Sequence, residues 1–91
     1  MVHLLIKENF MEAEKSFKAF LGEHPNDDLA SNAYYWLGET FYVQKQFQKA
    51  AISFAKGYQK FPKGNKALDQ LFKLALTFIN LGKNDDACAS F

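Results

Sequence analysis

The chain has 91 residues, 48% hydrophobic and 16% aromatic, which is one small domain or a piece of a larger one and too apolar to stay disordered. Eleven basic against ten acidic residues leave a net charge of +1. Every basic residue is a lysine and the lysines are scattered, which argues against a nucleic-acid surface with its concentrated basic face and arginine forks. No stretch approaches the roughly 20 apolar residues needed to cross a bilayer, and the start, MVHLLIKENF, lacks a basic leader and has too short an apolar run for a signal peptide. In chain order, helical patterns are expected over about 1–8, 10–23, 28–44, 46–61, 65–81 and 84–91, with no strand.

The first two patterns lead to Pro25, and the third opens after Asp27-Asp28, a pair placed to cap and charge-stabilise a helix start. In that third helix Ala30, Tyr34, Leu37, Gly38 and Phe41 recur on one face. In the fourth, Phe47, Ala50, Ala51, Phe54, Tyr58 and Phe61 do the same until Pro62 ends it. The chain then repeats itself at an offset of 37. Phe10, Ala13, Phe17 and Pro25 fall on Phe47, Ala50, Phe54 and Pro62, while Leu37, Gly38 and Phe41 fall on Leu74, Ala75 and Phe78. Ala50 and Phe54 fall in turn on Ala87 and Phe91; Phe47 breaks the pattern by landing on Asn84. A period in this range signals stacked supersecondary units.

Tyr34, Leu37-Gly38, Phe41, Ala50, Phe54 and Pro62 resemble the tetratricopeptide repeat, whose pattern is an aromatic, Leu-Gly, an aromatic, alanine, phenylalanine and a closing proline. That resemblance implies an all-α solenoid of helix-turn-helix units. It also gives Gly38 a reason. A glycine costs a helix about 1 kcal/mol relative to alanine, and closer approach of two crossing helices compensates. In this register residues 1–27 form a partial repeat, 28–64 a complete one and 65–91 a second partial one. Solenoids ordinarily need about three repeats, so a fragment, or ends covered by another chain, is expected.

The 37-residue period, the AYYWLGETFY core, the FP helix end, KALDQLFKLAL and the closing LG…DDACASF narrow the likeness. Together with EAEKSFKAFLGEHP they are similar to the C-terminal repeat domain of the Tol-Pal system's periplasmic protein family, the cell-division coordinators of Gram-negative bacteria. The likeness covers essentially the whole chain, without the coiled coil and signal peptide such proteins carry upstream. It implies a periplasmic, non-enzymatic adaptor. Its partners would be the Tol energy-transducing protein and possibly a peptidoglycan synthase, and its role would be to link outer-membrane constriction to peptidoglycan synthesis in the cell cycle.

In such solenoids the first helices line a concave groove. Here that face holds Asn32, Tyr35, Trp36, Glu39 and Tyr42, then Asp69, Phe72, Lys73 and Leu76. Aromatics flanked by polar groups suit peptide binding, because rigid rings give contact area at low entropy cost. Trp36 and Phe72 can equally pack between adjacent repeats. Cys88 allows no intramolecular disulfide and reads as a buried structural cysteine, since Asp85 and Asp86 oppose thiolate formation. His3 and His24 have no ligand-spaced companions, so no metal or cofactor is expected. No phosphate loop or nucleophile constellation suggests an enzyme. Two other readings stand beside the adaptor. One is a general peptide-binding scaffold of chaperone or secretion type, although its usual cationic groove is poorly matched by Glu39 and Asp69 with Lys73 alone. The other is a self-assembly element whose exposed repeat ends pair chain to chain as a homo-oligomer.

Overall fold

A computed structural model describes the backbone of residues 2–89 and the side chains of residues 9–83. Four helices follow one another: α1 (Val2–Glu23), α2 (Leu29–Val43), α3 (Phe47–Lys60) and α4 (Ala67–Ala89). There is no strand among the described residues. Each helix packs on its neighbour in sequence, and α2 also touches α4, whereas α1 meets neither α3 nor α4 among the described residues. The result is a slab of 45 × 35 × 17 Å, one helical hairpin thick. No helix of the described residues is long and apolar enough to cross a membrane.

The α2–α3 hairpin carries the core. Leu37, Phe41, Ala50 and Phe54 form the buried cluster, with Phe17 and Leu21 of α1 and Leu74 of α4 packed against it. Gly38 lies where α2 crosses α3. A Cβ added there would stand 2.5 Å from Cε1 of the fully buried Phe54, so only glycine allows this approach. A second crossing of the same kind joins α3 to α4, where Gly57 lies under the buried Gln70 so closely that a Cβ would overlap its amide. The offset of 37 hid this position, because Gly57 aligns with the bulky Phe20.

Local signals set the helix ends. The Asp27 carboxylate accepts a hydrogen bond from the Leu29 amide at 2.9 Å, and the Asp27 carbonyl accepts one from Ala30. Asp28 occupies the cap position without a side-chain cap bond. Lys45 turns the chain between α2 and α3 with a left-handed φ of 62°, and Phe61 leaves the helix at φ −130° just before Pro62. The repeat is visible in detail: Thr40 and Thr77, 37 residues apart, are both buried. Their hydroxyls donate to the carbonyls of Trp36 and Lys73, four residues back, at 2.8 and 2.7 Å.

The outer elements differ from the periodicity's prediction. Residues 2–8 and 10–23 are not separate helices but one, α1; likewise α4 begins at Ala67 and runs without a break through Ala89, while Phe91 lies outside the described residues. The counterparts of Lys45 are Glu8 and Gly82, and neither sits beside a proline; the polar run Gly82-Lys83-Asn84-Asp85-Asp86 is a turn signal, yet the helix continues through it. Gly82 has open space around it and costs α4 only about 1 kcal/mol, less than giving up the hydrogen bonds of a turn of helix. Asp85 and Asp86 fall inside α4. With α4 continuous, Phe78 is 57% exposed where its counterpart Phe41 is 4% exposed. The side chains of His3 and Cys88 lie outside the described residues; His24 is exposed beside Glu23.

Candidate functional site

Helix α2 turns Ala30, Ala33, Leu37 and Phe41 inward. Its opposite face carries Tyr35, Glu39 and Tyr42, spaced four and three residues apart, with Trp36 next to Tyr35 and three residues before Glu39. Helix α4 lies beside that face and meets it through a ladder of polar and aromatic contacts. The Lys73 ammonium stands 2.8 Å from Oε1 of Glu39 and 5.1 Å from the Tyr42 ring centroid. One level along, the Asn80 amide donates to the Tyr42 hydroxyl at 2.8 Å and to its own helix at Leu76. At the other end, Lys66 stands 5.0 Å over Tyr35 and 5.7 Å over Trp36, within cation–π range.

The predicted residues thus divide. Tyr35, Trp36, Glu39, Tyr42 and Lys73 are brought together along the α2–α4 seam. Tyr35 packs on Phe54 at 5.9 Å between centroids, and Tyr42 sits edge-on to Phe47 at 5.3 Å, so both tyrosines are half-buried and join the core to the surface. Trp36 is 48% exposed and Phe72 63% exposed; neither is packed away between repeats. Asp69 is exposed and close enough for its charge to act on the Tyr35 hydroxyl, while Leu76 is half-buried. Asn32 stands apart: it lines a separate hollow at the start of α2 with Phe61, Gly64 and Asn65. There its buried Oδ1 has no hydrogen-bond partner among the described residues.

Electrostatics follow from this packing. Burial pushes the Tyr35 hydroxyl above its ordinary 10.0, the Glu39 and Asp69 carboxylates adding to the effect and Lys73 opposing it. The hydrogen bond to Glu39 holds the Lys73 ammonium above its ordinary 10.5 despite burial. The seam is therefore charge-balanced, with exposed aromatic rings beside it. Such a surface can supply apolar contact and orienting polar groups to a polypeptide.

Sequence reasoning missed Lys66, Asn80 and Gln70. Lys66 and Asn80 lie seven residues to either side of Lys73, two turns along one face, and that spacing could have found them. Gln70 gave no such signal, since its counterpart is the small Ala33. Its buried amide donates to the carbonyl and hydroxyl of Ser31 at 3.2 and 3.4 Å, fixing α4 against the start of α2.

Comparison with known proteins agrees with the helical repeat fold. A tetratricopeptide repeat family model matches residues 4–65, and a second tetratricopeptide repeat model matches residues 71–91. Two sequences of the cell division coordinator CpoB from Pseudomonas putida, one from strain KT2440, are each 47% identical to this chain over 36 residues. The matched stretch is 40% of this chain and 13% of either relative. With a family model spanning more than half of its length and the helix crossing at Gly38 in place, the chain belongs to the tetratricopeptide repeat family, a fold of protein-interaction modules.

Proposed function

We propose that this chain is the repeat portion of a periplasmic adaptor of the Tol-Pal system, coordinating outer-membrane constriction with peptidoglycan synthesis during division. The likeness to CpoB and the 37-residue period support the biological setting. One observation carries the binding mode. Trp36 and Phe72 remain exposed beside a seam whose charges, Glu39 and Lys73, already neutralise each other at 2.8 Å. A partner on this face gains its affinity from apolar and aromatic contact, while Tyr35 and Tyr42 hold the platform rigid. Asn32, Asp69 and Leu76 form its margins. In this reading residues 28–64 are the complete repeat, 1–27 and 65–91 are partial ones, and the partner is the Tol energy-transducing protein.

Photo-cross-linking tests the proposal. The chain, directed to the periplasm of a Gram-negative host, carries benzoylphenylalanine in place of Phe72. Irradiation is expected to yield an adduct containing the Tol energy transducer. Adducts only with further copies of the chain, or only with proteins unconnected to the cell envelope, would overturn it.

A further inference from the structure

A different face carries a second surface. Because α1 and α3 both pack on α2 without touching each other among the described residues, they leave a groove between them of about 440 Å³. Its floor is apolar. Leu37 and Phe41 lie at the bottom, the half-buried Leu21 and Tyr34 flank them, and Ile52 of α3, 55% exposed, forms one wall. Tyr34 and Phe41 are seven residues apart, so the floor runs about 10 Å along α2.

Lysines line both rims. Lys18 of α1 and Lys49 of α3 approach the Phe41 ring from opposite walls, each 5.8 Å from its centroid. Lys56, two turns after Lys49, lines the same groove, and Lys60 stands 5.9 Å over Tyr34. Among the described residues no acidic side chain lines the groove. Lys18 is paired with Glu14 at 2.8 Å, but Lys49, Lys56 and Lys60 have no carboxylate within salt-bridge distance among the described residues. The α2–α4 seam differs on this point, since its Lys73 is matched by Glu39.

We propose that this groove docks an acidic amphipathic helix of a protein partner, with apolar side chains on the Leu37–Phe41 floor and carboxylates against Lys49 and Lys56. Charge complementarity selects this occupant. An apolar ligand would leave the α3 lysines unmatched, and a small anion would leave the exposed Ile52 and the half-buried Leu21 and Tyr34 uncovered. A bilayer surface is too flat to reach Leu37 and Phe41, which are only 6% and 4% exposed. The volume suits a few inserted side chains. The site is independent of the α2–α4 face, so either can fail alone.

The test uses a fluorescein-labelled helical peptide of about four turns, with leucines on one face and glutamates flanking them. A twin peptide carries lysine in place of every glutamate. Fluorescence anisotropy with the whole chain is expected to show the acidic peptide binding at least about tenfold tighter than its twin, and more weakly as salt rises from about 20 to about 300 mM. Lys49→Glu with Lys56→Glu, both at exposed positions, should cost at least about tenfold, with circular dichroism confirming an unchanged fold. Trp36→Ala with Phe72→Ala should change binding by less than about twofold. Equal affinity for both peptides, or loss through the aromatic pair instead of the lysine pair, would overturn the proposal. So would capture of anionic phosphatidylglycerol vesicles without binding of the acidic peptide.

Discussion

Gly38 shows how one atom sets the architecture. In isolation, alanine at that position would favour the helix by about 1 kcal/mol. In the folded chain the new Cβ would press into the Phe54 ring, which is fully buried and has nowhere to move. Overpacking of this kind costs about 1–3 kcal/mol. Gly22 is the contrasting case, because nothing lies within 4 Å of the position a Cβ would take. Gly38→Ala is therefore expected to destabilise the chain by about 1–3 kcal/mol, and Gly22→Ala to stabilise it by up to about 1 kcal/mol. Urea denaturation of both variants checks this; a shift of the same sign in each would contradict the crossing. The two tyrosines teach a related lesson. Tyr35 and Tyr42 looked like surface residues by spacing alone, yet each rests on a phenylalanine of the hairpin, so truncating them would damage the fold along with the surface.

At the scale of the helices, α2 and α4 are held together by side chains whose protonation matters. Lys73 and Tyr35 both hold their protons more tightly in the folded chain than in the unfolded one. Their stabilising contribution is complete below about pH 10 and is lost as pH rises through the raised values. The denaturation midpoint should stay level from about pH 7 to about pH 9 and fall above about pH 10, and in Lys73→Gln that fall should be shallower. Identical alkaline profiles for the two proteins would show that the Glu39–Lys73 contact does not couple to folding. The hairpin of α2 and α3 was legible in the sequence because its determinants are local: a repeated apolar face, a glycine at the crossing, and Pro62 at the end. The outer helices were not. The same offset that finds the repeat also places turns near Glu8 and Gly82, but a turn there needs a packed partner to stabilise it, and α4 runs on as a single helix instead. Much of the α2–α4 seam was legible from helical spacing, and Gln70 over Gly57 was not, because burial of a polar residue against a glycine leaves no periodic trace.

The whole molecule is a thin slab with two dissimilar surfaces. One is the α2–α4 face, aromatic and charge-balanced; the other is the α1–α3 groove, apolar at the bottom and rimmed by lysines. In the proposed adaptor role, the first of these binds the Tol partner through ring contact. Calorimetric titration of the Tol energy transducer against two double variants tests it most directly. Trp36→Ala with Phe72→Ala removes the two exposed rings beside the seam, and Lys56→Ala with Lys60→Ala removes charge from α3 on the opposite side. Truncating an aromatic anchor commonly costs 2 kcal/mol or more, so the aromatic pair is predicted to weaken binding by at least about thirtyfold. The lysine pair is predicted to leave it within about twofold, since rim charges act mainly on association rate. Binding that survives loss of both rings and fails without the lysines would contradict the account.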